Sequence, residues 1–286
     1  MGKFTISLDF ELGWGGMESQ MWRYREKKGV FKNFRSVIER MTALLDDLEI
    51  SLTWACVGAM VSNPEPSDFD HLPEPFRQNA VDFLKGSETF THDGRDLLEN
   101  LLKMRTKQDI GSHSFSHTRF HIDSFSDEAK LLDLKKGREA LLSFDIEPKS
   151  FVYPVNQVSN LELLAEAGFS VARLPPKTPS SRGGKLTEAI LGRTPSAKRH
   201  QVSQKFETED GSMLYNWRNS RFRRALIDHQ VRLGLQKISH ADYHLHLWLH
   251  PFNLVEIDGL ENGLYELLKK AAHLRDKGRL QICTMS

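Results

Sequence analysis

The run Asp109-Ile110-Gly111-Ser112-His113-Ser114-Phe115-Ser116-His117 sets two imidazoles four residues apart, just after a short apolar segment and a glycine. On a helical turn, residues four apart project from one face, so both rings can meet one metal ion. Neutral imidazole suits zinc and similar divalent ions, and a catalytic site takes three protein ligands and leaves one position for water. His121 repeats the same spacing from His117, so spacing alone does not choose between the two pairs. Asp9 and Glu11 alternate with Leu8, Phe10 and Leu12, which on a strand places both acids on one face. One carboxylate can complete a His-His-carboxylate site while the other acts as base toward water. Tyr243 to His250 alternates in the same way and sets His244, His246, Trp248 and His250 on one face. His250, at the end of that run, is the candidate general acid. His246 reads as a supporting or hydrogen-bonded core group. Trp14, between Gly13 and Gly15, offers an indole that could stack on a sugar face.

These residues need a frame that brings distant segments together. Short apolar strand candidates (4–10, 52–61, 150–154, 169–174, 243–249 and 280–284) alternate with helix candidates (37–48, 96–105, 126–142, 160–167, 221–235 and 260–277). Such alternation predicts an α/β fold with parallel strands and crossover helices, and about seven strands favour a barrel, distorted or incomplete, over an open sheet. The candidate residues then fall at the carboxyl ends of strands, where barrel loops build active sites. Residues 63–92 are rich in proline and read as a long loop. Residues 175–216 break the rhythm and read as an insertion or lid within a single domain covering 1–286.

Composition excludes several classes. Hydrophobic residues make up 39% and charged residues 27% of the 286, an ordinary globular balance. A formal net charge of +1 gives no global field for nucleic acid. No apolar run approaches the roughly 20 residues of a transmembrane helix, and Asp9 sits where a signal peptide would be apolar, so a cytoplasmic location is expected. Cys56 and Cys283 form no metal or redox motif and read as buried small hydrophobes.

Taken together, the motifs resemble the polysaccharide deacetylases of the NodB-homology type, carbohydrate esterase family 4. "SLDFELGWG" is similar to the family's first motif in its variant form, "GSHSFSH" to the second, "FVYPVNQ" to the third and "LHLWLHPFNL" to the last, spanning residues 5 to 254. The subgroup it resembles comprises cytoplasmic proteins associated with surface-polysaccharide (O-antigen type) synthesis. The resemblance implies an incomplete (β/α) barrel of seven or eight units and one divalent metal, with Zn2+ expected and Co2+, Ni2+ or Fe2+ compatible. It implies Glu11, His113 and His117 as ligands, Asp9 as general base and His250 as general acid. It also implies substrate contacts at Trp14, Tyr153, Asn156 and Trp248, with a backbone N–H near Tyr153 facing the oxyanion. The implied reaction removes an acetyl or formyl group from an amino sugar, carried on a nucleotide or a lipid. An allantoinase-like amidase and a catalytically weak sugar-binding protein are the alternatives on the same barrel.

Two departures accompany the resemblance. The first motif usually supplies an aspartate ligand where this chain has Glu11, and the third carries an arginine, expected here at position 155, that orients the base. This chain has Val155, so either Arg173 or Arg193 takes that part or the base is poorly held. Lys198, Arg199, Arg218, Arg221, Arg223 and Arg224 are candidate contacts for a diphosphate, or a solvated basic face.

Overall fold

The computed structural model describes residues 1–179, 181–238 and 242–286. Its strands are β1 (Lys3–Phe10), β2 (Thr53–Cys56), β3 (Asp109–Ser112), β4 (Ser150–Val152), β5 (Val171–Leu174), β6 (Arg199–Ser203), β7 (Phe206–Asp210), β8 (Met213–Leu214), β9 (His244–Leu249) and β10 (Gln281–Ile282). They form one sheet in the order β6-β7-β5-β4-β3-β2-β1-β9-β8, with β10 alongside the start of β1. All neighbours run parallel except β6 and β7. The path ends at β6 and β8, which do not pair among the described residues, so the barrel is incomplete.

Alternation along β1 explains both faces of the sheet. Phe4, Ile6, Leu8 and Phe10 point into the helical layer; Phe10 meets Phe34 and Trp54 there. The helix Val30–Leu48 supplies the facing stripe, Val30, Phe31, Phe34, Val37, Ile38, Met41 and Leu45, at three- and four-residue spacing. Thr5, Ser7 and Asp9 occupy the other face and are also buried. Across from them β9 brings His244 and His246, bonded to Thr5 and Ser7 at 2.9 and 2.8 Å. The barrel interior is therefore polar where branched apolar residues usually fill it.

Several expectations need correction. The run 52–61 is strand only over Thr53–Cys56, and Gly58–Ser62 is a short helix. The segment 63–92 contains the helix Phe76–Gly86, which buries Ala80, Val81 and Phe83 despite the prolines before it. Residues 175–216 are no mere lid: they contribute β6, β7 and β8 to the sheet, and the helix Arg182–Ile190.

The polar interior makes a prediction about acid. Burial pushes the His244 imidazole down to about 4; Glu209 raises it, while His246, Lys3 and Arg199 lower it further. Glu209 feels burial upward but is carried down to about 2 by His246, His244 and Arg199. Between about pH 6.5 and 4 the unfolded chain binds a proton at position 244 that the folded chain refuses, so stability falls as pH falls. Between about 4.5 and 2 the same sign holds for Glu209. Each contribution is on the order of 3 kcal/mol, and because the groups interact they do not add. Denaturant unfolding of wild type and His244→Asn at pH 7 and 4.5 checks this: the variant should lose less stability on acidification. Equal losses in the two proteins would remove His244 as the cause.

Candidate metal and acid-base centre

Glu11 stands just beyond β1, and His113 and His117 follow β3 two strands away. The three are buried, and one ligand atom from each lies within 4.8 Å of the others. Glu11 Oε2 is 2.8 Å from His117 Nε2 and 3.3 Å from His113 Nε2. His113 Nδ1 lies 2.7 Å from the carbonyl of Val152, an acceptor only, so Nδ1 carries a proton and Nε2 is the ring atom left to face Glu11 and to ligate a metal. Glu11 Oε2 and His113 Nε2 are buried without a hydrogen-bond partner in protein. Two orphaned donor atoms beside a third imidazole, with nitrogen and oxygen as the donor set, fit a divalent cation such as zinc.

The histidine pair does not converge through a helix. Residues 113–118 form an irregular loop, with Ser114 and His117 in the left-handed region at φ of 64° and 61°. The Ser114 hydroxyl accepts from the His117 N–H, and Asp133 accepts from the Phe115 N–H. Gly137 lets the helix Asp127–Leu142 lie against this loop, because a Cβ there would come within 2.8 Å of the Ser114 carbonyl carbon. His121 is exposed, and the pair that the structure brings together with Glu11 is His113 and His117. Gly15 has a comparable part, since a Cβ on it would collide with the Glu11 carboxylate. Gly15 therefore makes room for Glu11, whereas Gly13 lies against Thr91 and Phe83.

Asp9 is held next to the trio. Arg173, on β5, donates to Asp9 Oδ1 at 2.7 Å and to Oδ2 at 3.0 Å, to Ser7 Oγ at 2.9 Å and to Asn156 Oδ1 at 2.9 Å. Its guanidinium stacks on the Trp248 ring at 4.7 Å. Val155 is 53% exposed with φ of 56°, so its side chain faces solvent where the third motif's arginine was expected. Arg173 stands opposite Val152 in the β4–β5 ladder and reaches Asp9, on β1, across the interior of the curled sheet. Arg193 instead lies at the surface, 3.5 Å from Glu188. Burial raises the Asp9 carboxyl, but Arg173, His250 and His113 outweigh it and hold it below its ordinary value. Burial likewise raises Glu11, and the imidazoles of His250, His117 and His113 take it well below the usual carboxylate range. His250 completes the group, its Nε2 3.7 Å from Asp9 and 3.6 Å from Glu11.

The residues expected to touch a sugar fare differently. Trp14 is fully buried between Phe69 and Phe83 and donates to the His92 carbonyl, so it packs the core and has no face free for a sugar. The Tyr153 side chain is also buried, its hydroxyl bonded to the Ser159 carbonyl. Asn156 and Trp248 both serve Arg173. A cleft of about 830 Å³ opens over Glu11 and His250, lined also by Tyr24, Arg25, Lys28, Asn216, Arg218 and Asn219. Of the basic group 198–224, Arg218 lines it; Arg199 is drawn to Glu209, and Arg224 to Trp217 and Asp228.

No family model matches this chain, and no curated protein sequence matches it. Solved structures resemble it. A candidate polysaccharide deacetylase from Mycobacterium smegmatis superposes with a TM-score of 0.62 at 14% identity, covering 99% of this chain and 87% of its own. A GH57-type branching enzyme from Pyrococcus horikoshii gives 0.57 at 9% identity, covering 99% of this chain and 69% of its own. A 4-alpha-glucanotransferase from Thermococcus litoralis gives 0.53 at 12% identity, over 99% of this chain and 39% of its own. The fold is that of these incomplete α/β barrels. No helix among the described residues is long and apolar enough to cross a membrane.

Proposed function

We propose that this protein is a metal-dependent hydrolase that removes an N-acyl group, acetyl or formyl, from an amino sugar. The observation that carries the reading is Asp9, gripped at both oxygens by buried Arg173, beside the Glu11, His113 and His117 trio. Those three would hold a divalent cation, zinc by the chemistry of the donor set, and when bound it supplies Lewis acidity toward water and an acyl carbonyl. Asp9, kept ionised, accepts a proton from the water that attacks the acyl carbon. His250 reaches into the same cleft and delivers a proton to the departing nitrogen, so that the products are an amine and a carboxylate. A tethered base of this kind supports catalysis over mere sugar binding. The likeness to the Mycobacterium smegmatis protein supports the same class of reaction.

The cleft suggests that the sugar carries an anion, as a nucleotide- or lipid-diphosphate carrier would. Arg25 is paired with Glu256 at 3.0 Å, while Lys28 and Arg218 line the same cleft with no ion-pair partner among the described residues. The test is amine release by the zinc-loaded protein from UDP-N-acetylglucosamine, N-acetylglucosamine 1-phosphate and uncharged N-acetylglucosamine oligomers, with allantoin as the ring amide. Turnover of the phosphorylated sugars is expected, and Lys28→Ala with Arg218→Ala should raise their KM about tenfold. Turnover of allantoin alone would replace the sugar reading.

A further inference from the structure

Behind Arg173 lies a second constellation that the proposed reaction does not use. Ser7, His246 and Glu209 are all fully buried. Ser7 Oγ is 2.8 Å from His246 Nε2, and His246 Nδ1 is 2.7 Å from Glu209 Oε1. The second pair is close but poorly aligned, an electrostatic contact more than a linear hydrogen bond. The residue types and order are those of a serine hydrolase triad. Its setting is different. The outer face of the Ser7 oxygen is capped by the Arg173 guanidinium at 2.9 Å, and Ser7 is fully buried.

The donors fix the polarity of the chain. A guanidinium only donates, so Ser7 Oγ accepts from Arg173 and has its own proton left for His246 Nε2. The His246 proton then sits on Nδ1, facing the Glu209 carboxylate, which Arg199 anchors from the other side at 2.7 Å. The opposite tautomer would set the Ser7 oxygen between two donors with no acceptor for its proton, and would turn the bare Nδ1 lone pair on the Glu209 carboxylate. Arg173 thus receives a polarised hydroxyl at Nη1, the same nitrogen that binds Asp9 Oδ1. On the far side Asn156 takes Nη2 and Trp248 stacks on the plane.

We propose that Ser7, His246 and Glu209 form an inward-facing triad that orients Arg173, and through it Asp9, so that these three are positioning residues and Ser7 is no nucleophile. This rests on Asp9 being the base, and the experiment separates the two ideas. Nitrogen-15 spectra of the full-length protein read the chain without any turnover. His246 should be protonated at Nδ1 with Nε2 shifted by an accepted hydrogen bond, and the Arg173 Nη nitrogens should give separate, slowly exchanging signals. Ser7→Ala should collapse the Arg173 signals while zinc content stays at the wild-type level. With UDP-N-acetylglucosamine as substrate, Ser7→Ala should lower kcat about tenfold at unchanged KM, and Ser7→Thr should restore it. Glu209→Gln should reproduce the Ser7→Ala effect, and the double variant should be no worse than either single one. A His246 protonated on Nε2, wild-type Arg173 signals in Ser7→Ala, or labelling of Ser7 by diisopropyl fluorophosphate would each overturn the proposal. If the spectra come out as expected but no N-acyl sugar is turned over, the chain stands and the assignment of Asp9 as base falls.

Discussion

Zinc bound to the purified protein should fall from about one ion per chain to near none in His113→Ala. Three ligands are the minimum that leaves a catalytic position open, so loss of one leaves a two-ligand site that dialysis empties. His113→Ala also leaves the Val152 carbonyl buried without its donor, a cost of about 1–3 kcal/mol. Reduced metal could therefore report a damaged fold, and a second variant separates the causes. Gly15→Ala touches neither histidine, yet its Cβ would take the space of the Glu11 carboxylate. It should keep wild-type circular dichroism and lose at least tenfold in zinc affinity. Elemental analysis after reloading decides: wild-type metal content in both variants would mean that Glu11, His113 and His117 do not hold the ion.

That Glu11, His113 and His117 could converge was legible from the chain, and the reason is chemical. Histidine pairs and alternating acids are rare enough that type and spacing carry the signal. The conformation joining them was not legible: four-residue spacing suggested a helix, whereas Ser114 and His117 turn through left-handed backbone, with Asp133 of the following helix accepting from the Phe115 N–H. The alternation in β1 and β9 predicted both strands and the face shared by His244 and His246, because a period of two between apolar and polar side chains fits a strand and not a helix. β6 escaped because it is a largely exposed edge strand, RHQVS, with no apolar face to betray it. β7 was lost with it, and Glu209 with β7. Arg173 had a signal: a lone arginine inside the apolar run Phe169 to Leu174 must find a partner if that run is a buried strand. Whether it or Arg193 reaches Asp9 depended on the order β5-β4-β3-β2-β1, known only from the sheet closing round its interior.

That buried arginine makes the largest stability prediction. Arg173→Met removes the cation from a carboxylate that is itself almost fully buried. An uncompensated buried charge costs about 3–5 kcal/mol, so Tm should drop by roughly 10 °C. Asp9→Asn alone should cost less, because Arg173 keeps Ser7, Asn156 and the Trp248 face. Combining the two substitutions removes both charges and should recover about 2–3 kcal/mol relative to the sum of the single losses. Arg173→Lys keeps the charge but cannot bind both oxygens at once and hold Ser7 and Asn156 too, so it should fold and still turn over slowly. If Arg173→Met unfolds within about 0.5 kcal/mol of wild type, Asp9 does not depend on the pair and the base is held by something else. If stability falls but the double variant recovers nothing, Arg173 acts through packing on Trp248, not through Asp9. Recovery of stability without recovery of turnover would place the pair where the sheet puts it: an ionic contact kept at a cost to the fold because the reaction needs a buried carboxylate to stay charged and still.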